Sequence, residues 1–278
     1  AWTQHGKVLG GLTGIQIPEF INVRGPGGDV NVFFGLRAEH PTREGFIVMD
    51  PSRLGVGVIG AGKVGPVLAL ALAGAGHSIV GITPPGADGE RVSAMLPGVP
   101  FLSPHDICER SELVLLALPD DQLRGFIEGM AGSGGFVAGQ IVAHTSIVHG
   151  LEVLKPALAQ GVIPVGLHPL MEFSGWSMDV AKMTGAWCVV SAPAVASPIA
   201  HALAVEMGME PLVVAEEHRS HIASAVALAT SFSHTTITEA ADRLRLAGIA
   251  NPGVVMAALV GSSVENALRG VSGNDVEG

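Results

Sequence analysis

The sequence predicts an α/β fold: a domain built on a parallel sheet, followed by a smaller all-α C-terminal domain. Three observations carry this. From Leu54 onward, short apolar runs without internal charge alternate with segments of helical character. That is the pattern of a parallel sheet covered on both faces. A glycine-rich turn joins the first such run to the first helical segment. After Glu216 the strand-like runs stop, and the chain passes from Glu217 to Ala247 without a Pro or Gly.

In order, Leu54–Ile59 reads as a buried strand and Lys63–Ala75 as a helix. Ser78–Thr83 is a second strand, Glu90–Leu96 a short helix and Val99–Leu102 a short strand. Pro104–Arg110 is a helical turn, Leu113–Leu118 a strand, Asp120–Met130 a helix and Gln140–His144 a strand. Gly150–Gln160 reads as a helix and Val162–Leu167 as a strand. Trp187–Val190, Ala194–Met207 and Pro211–Val214 repeat the strand–helix–strand theme. Small and apolar residues then recur with helical spacing over Glu217–Ala247, and Gly248 supplies the stop. Asn251-Pro252 opens a further helix to about Arg269, with Asn as cap and Pro in the first turn.

The expected organisation is an extension over 1–48, a sheet domain over 49–215 and a helical domain over 216–278. In the extension only Val30–Phe34 is strand-like, and Met49 is expected to be the natural start. A chain of 278 residues is long enough for about two domains with cores that need no staples. Its 15 Lys and Arg against 25 Asp and Glu give a net charge of −10. That balance argues against nucleic acid or anionic membrane as partner. Leu54–Thr83 is apolar enough to raise a membrane span, but its glycines, Lys63, Pro66 and His77 argue against one. Cys108 and Cys188 stand far apart with no C-x-x-C, so no structural zinc or disulfide framework is expected. A cytoplasmic location follows as the expectation. Tyrosine is absent, which removes every tyrosine-based mechanism.

Gly60, Ala61, Gly62, Lys63, Val64 and Gly65 form a G-x-G-x-x-G that follows a strand and opens a helix. This is the context in which the motif binds a dinucleotide. The first glycine allows the turn, the second admits the pyrophosphate to the backbone, and the third lets the helix approach the sheet. The free N–H groups at the helix start favour the anion. The expected domain is therefore a Rossmann dinucleotide-binding domain. The second strand ends in Thr83-Pro84-Pro85, with no acidic residue before Asp88 to hold a ribose 2′-hydroxyl. Thr83 and the cation Arg91 suit a 2′-phosphate, which favours NADP, with NAD as the alternative.

Three further segments join that loop: Leu113–Asp121 with its Leu118-Pro119-Asp120 turn, His144-Thr145-Ser146-Ile147-Val148-His149-Gly150, and Gly166-Leu167-His168-Pro169-Leu170-Met171. Together they resemble the bacterial family that joins a Rossmann-like module to a helical C-terminal domain of unknown function. That family stands beside ketopantoate reductases, pyrroline-5-carboxylate reductases and the 6-phosphogluconate dehydrogenase-like group. The resemblance covers about Arg53 to Arg269. It implies that Leu118, Pro119, Asp120, His144 and Thr145 flank the cofactor. Prephenate dehydrogenases are similar in placing a serine after one strand and a His-Pro turn after the next. Carried over, Ser146 and His168 become the catalytic pair, with His168 as acid/base and Ser146 as its partner. Ser146, His168, Met171, Ser231 and His234 would then meet the substrate. The chain departs from the family pattern at Ile147 and Val148, where small residues are usual. It departs again at His221-Ile222-Ala223 and Ser231–His234, where polar pairs are usual. The family pattern also runs on past Gly278, so the helical domain is expected to be truncated.

His218 and His221 lie one helical turn apart, but no metal site is expected. His234 either faces the cleft or satisfies a core hydroxyl, and Glu172 either holds a substrate hydroxyl or is solvated. No nucleophile motif of a hydrolase is present. The functional expectation is an NADP-dependent oxidoreductase that moves hydride to or from a small 2-oxo or hydroxy acid, ketopantoate first among them. The rival is a non-catalytic dinucleotide-binding sensor or assembly protein. A homodimer through the C-terminal helices is expected, because a long helix rich in small residues needs a partner surface.

Overall fold

The computed structural model describes residues 20–25, 28–33 and 53–272. Strands β1 (Phe20–Gly25) and β2 (Gly28–Phe33) pair antiparallel. The strand expected at Val30–Phe34 falls in β2, except Phe34. Phe34, Met49, the remainder of the extension and residues 273–278 lie outside the described residues.

The main sheet has seven strands in the order β4-β3-β5-β6-β7-β8-β9. It is built from β3 (Gly55–Ile59), α1 (Gly65–Gly74), β4 (Ser78–Ile82), α2 (Gly89–Met95), α3 (Pro104–Arg110), β5 (Leu113–Leu116) and α4 (Asp120–Gly132). It continues through β6 (Ile141–His144), a 3₁₀ turn (Leu151–Leu154), α5 (Lys155–Leu158), β7 (Ile163–Pro169), α6 (Met178–Met183), β8 (Trp187–Ser191), α7 (Ser197–Glu206) and β9 (Glu210–Val213). One core joins α1, α2, α6 and α7 to the sheet through Val67, Leu68, Val92, Met183 and Leu203. The other joins α3, α4 and α5 through Ile107, Leu123, Ile127 and Ala157. Strands covered on both faces have no use for alternation, which is why β3, β5 and β6 are buried at every position. The apolar stretch Leu54–Thr83 is thus β3, α1 and β4, folded into this core. Cys108 and Cys188 are buried, and burial pushes both thiols up to about 12.

The structure corrects the sequence reading in several places. The sheet is not wholly parallel: β8 runs antiparallel to β7, and β9 runs parallel to β8. After β7 the chain reaches along the carboxyl edge to the glycine loop, where Arg91 holds the carbonyl of Gly175 at 2.6 Å. It therefore re-enters the sheet from the edge it left. The strand expected at Val99–Leu102 shrinks to one bridge between Ile82 and Phe101, since Pro100 has no N–H to extend the ladder. The helix expected over Gly150–Gln160 is a 3₁₀ turn followed by one α turn, broken where Pro156 removes a donor. Helix α1 starts at Gly65 rather than Lys63, because residues 60–64 form the turn. Helix α7 starts at Ser197, with Pro198 in its first turn.

After the sheet come a 3₁₀ turn (Glu216–His218), α8 (Arg219–Leu246) and α9 (Pro252–Ser272). Gly248 stops α8 with φ +83°, its N–H bonded to Arg245 O and that of Ile249 to Leu244 O, a glycine C-terminal cap. Helices α8 and α9 pack on each other. Pro252–Val271 is, by length and composition, the one helix among the described residues apolar enough to cross a membrane, and it is almost wholly exposed.

Candidate functional site

The site begins at the carboxyl end of β3. Gly60 has φ +115°, and a Cβ there would sit 2.2 Å from Ala117 O on β5's exit. A Cβ on Gly65 would sit 1.9 Å from Gly60 O. Nothing lies within 4 Å of the Cβ position of Gly62. The first and third glycines are therefore demanded by the fold, and the second opens space over the loop. The Gly60 N–H is held by Thr83 Oγ1 at 2.9 Å. Thr83 thus braces the loop through its hydroxyl oxygen.

Arg91 behaves similarly. Its guanidinium donates to Gly175 O at 2.6 Å, Gly62 O at 3.2 Å, Ala61 O at 3.4 Å and the Asp88 carboxylate at 3.0 Å. A cavity of about 370 Å³ lies beside it, between Ala61-Gly62 and the segment Pro84–Asp88. The residues fit a dinucleotide: a bare Gly62, the start of a ten-residue helix, and a cavity where the adenosine half would lie. Gly60, Ala61, Gly62, Lys63, Val64 and Gly65 would hold its pyrophosphate.

Further along the carboxyl edge, Thr145 and His168 meet. Thr145 O accepts from His168 Nδ1 at 2.5 Å. A carbonyl only accepts, so Nδ1 carries the proton and Nε2 a lone pair. His168 Nε2 is buried with no partner. Burial lowers the pKa of His168, opposed by the Thr145 bond and the Asp120 carboxylate. The imidazole is neutral at pH 7. Ser146 does not bond His168; its Oγ accepts from the His149 N–H at 3.1 Å. His149, absent from the sequence-predicted site, donates through Nε2 to Asp120 O at 3.0 Å. It thereby ties the β6 exit to the start of α4 beside Leu118 and Pro119.

His144 is 1% exposed, so a direct contact with the cofactor is not what this structure provides. Both its ring nitrogens lack partners. Burial pushes its pKa down to about 4, with the Arg219 cation, His149 and His168 acting in the same sense. Its ring lies beside Gly166, where a Cβ would stand at ordinary contact distance, 3.6 Å from Nε2. Arg219, which the sequence reading also missed, is 7% exposed at the start of α8. It donates to Ser191 Oγ at 2.6 Å and to the Glu216 carboxylate at 2.9 and 3.1 Å. Glu216 in turn occupies the space a side chain on Gly150 would need.

Two domain models match the chain. A Rossmann-like domain covers residues 38–169, and the Domain of unknown function (DUF2520) covers residues 186–274. The chain thus carries a Rossmann-like domain followed by a DUF2520 domain. Among solved structures it is similar to a candidate NADP oxidoreductase from Bacteroides fragilis, at 16% identity and TM-score 0.67, covering 77% of this chain and 80% of that one. It is also similar to a pyrroline carboxylate reductase from Plasmodium falciparum with NADP bound, at 11% identity and TM-score 0.56, covering 81% and 80%. An imine reductase from Pseudomonas sp. matches at 13% identity and TM-score 0.58, covering 79% and 76%. These likenesses are of fold. The curated proteins offer no match to the chain.

Within the DUF2520 part, α8 brings His234 to Glu172 with Nε2–Oε1 at 2.8 Å, both side chains largely exposed. The two residues left open in the sequence thus pair with each other across the carboxyl edge. Ser231 lies exposed and donates to Leu228 O within α8. Met171 is half-buried and packs against the α1 core. The rings of His218 and His221 stand 6.3 Å apart.

Proposed function

We propose that the chain is an NADP-dependent oxidoreductase that transfers hydride between the nicotinamide and a small 2-oxo or hydroxy acid. The observation that carries it is the glycine loop: two glycines fixed by the fold and, between them, a Gly62 fixed by nothing except the space over it. The named Rossmann neighbours, reductases and one NADP complex among them, support the same chemistry class. NADP, when bound, supplies or accepts the hydride. His168 supplies the lone pair of a neutral, tautomer-fixed imidazole at the carboxyl edge, suited to taking the hydroxyl proton of a hydroxy acid. Thr145 sets its tautomer, and Ser146 and His149 brace the loop beside it. Leu118, Pro119 and Asp120 border the nicotinamide end.

The test is titration of the purified chain with NADPH and NADH by nicotinamide fluorescence, followed by ketopantoate. NADPH binding with ketopantoate-dependent oxidation supports the reading. His168→Ala is then expected to lower kcat by about a hundredfold with nucleotide affinity retained. The burial of His168 Nε2 favours one rival, a non-catalytic dinucleotide-binding sensor. Tight binding without turnover of any oxo or hydroxy acid selects that rival.

A homodimer through the C-terminal helices belongs to the same proposal. Val254, Val264 and Val271, on one face of α9, are 80%, 43% and 68% exposed, and an apolar face of that kind rarely stays bare. Sedimentation velocity in detergent-free buffer is expected to show twice the chain mass; a monomer would count against it.

A further inference from the structure

We infer that Arg91 is a positioning residue that sets the pyrophosphate-binding N–H groups of the glycine loop, rather than a ligand of the 2′-phosphate. This rests on the dinucleotide reading above. In a trans peptide the C=O and the following N–H point in opposite directions, and no cis bond occurs among the described residues. Arg91 holds the carbonyls of Ala61 and Gly62 from one side. The N–H groups of Gly62 and Lys63 are thereby turned to the other side, toward the space that Gly62 leaves open. Two successive N–H groups aimed at one point make an anion nest.

The same guanidinium fixes what surrounds the nest. Its bond to Gly175 O brings the β7–α6 link against Lys63, where a Cβ on Gly175 would stand 3.1 Å from the Lys63 Cα. Its bond to Asp88 anchors the start of α2. The side chain is 11% exposed; its Nη1 donates to Gly175 O and Met95 Sδ, and its Nη2 is shared among Ala61 O, Gly62 O and the Asp88 carboxylate. A planar fork with five donors can span these acceptors at once; a lysine ammonium, a point charge, cannot hold the same set in one geometry. Releasing the carbonyls frees the two peptides to rotate, so the nest loses its aim for any dinucleotide, phosphorylated at the 2′ position or not.

The full chain carrying Arg91→Lys, and separately Arg91→Met, tests this. Dissociation constants for NADPH and NADH are measured by nicotinamide fluorescence, and phosphorus NMR is recorded on bound NADPH. Both affinities are expected to fall by the same factor, about tenfold, the scale of one charge-assisted hydrogen bond. The pyrophosphate resonances should move while the 2′-phosphate resonance stays in place. Asp88→Asn, which spares the three carbonyl bonds, should leave the pyrophosphate resonances unmoved. Should Arg91→Met fail to fold, Arg91→Lys still decides the matter. A loss confined to NADPH with a shifted 2′-phosphate signal overturns the inference, as does an Arg91→Lys variant that binds both nucleotides normally. A wild-type chain that binds neither nucleotide overturns the oxidoreductase reading as well.

Discussion

Gly60→Ala is expected to destabilise the protein by about 3 kcal/mol or more, whereas Gly62→Ala leaves stability within about 0.5 kcal/mol and weakens dinucleotide binding by about tenfold. The two substitutions add the same methyl group two residues apart. At Gly60 it meets φ +115° and a backbone carbonyl at 2.2 Å, and neither can yield without moving β5's exit. At Gly62 it meets no atom within 4 Å, so the fold does not register it. What registers it is a pyrophosphate brought close to the backbone. Urea unfolding and NADPH titration of the two variants separate the effects. Equal destabilisation by both would mean that the space over Gly62 is structural, and an unchanged affinity for Gly62→Ala would place the pyrophosphate elsewhere.

His144 carries the second large effect, through pH. Its pKa falls from the ordinary imidazole value of 6.5 to about 4 in the folded protein, so the unfolded chain binds more protons between those values. The fold is therefore free of this penalty above pH 6.5, loses stability as pH falls toward 4, and loses no more from this group below that. The full cost is about 3 kcal/mol at 1.36 kcal/mol per unit. His144→Leu, close in volume and without unpaired nitrogens, is expected to flatten the stability profile across this window and to raise stability at pH 4.5. His168 shifts in the same direction, so some slope remains. A profile as steep as that of the wild type would show that the ring of His144 is not held neutral in the core.

Local grammar was legible before the structure. The G-x-G-x-x-G, the charge-free strands and the Gly248 stop each depend on residues within a few positions, and apart from the strand expected at Val99–Leu102 each stands where the sequence placed it. What escaped depends on residues far apart. Arg91 looks like a free cation until its carbonyl partner at Gly175, 84 residues on, arrives beside it. That arrival follows from the detour after β7, the same detour that reverses β8. Arg219 gave no signal, because its partner Ser191 comes within reach only once β8 lies antiparallel beside Gly166. Glu172 and His234 were each ambiguous alone, and 62 residues of chain had to fold before they could meet.

Among the described residues, two side-chain fastenings of unequal strength tie α8 to the sheet domain. Near its start, the buried Arg219 is locked to Ser191 and Glu216. Fifteen residues on, an exposed His234–Glu172 pair is the other fastening, and such pairs contribute about 1 kcal/mol at most. Mechanically this is a lever with a firm pivot and a light latch, about 22 Å long at about 1.5 Å per residue. A tilt of about 5° at the pivot swings His234 by about 2 Å. The lever arm converts a motion too small to disturb the core into one large enough to part His234 from Glu172.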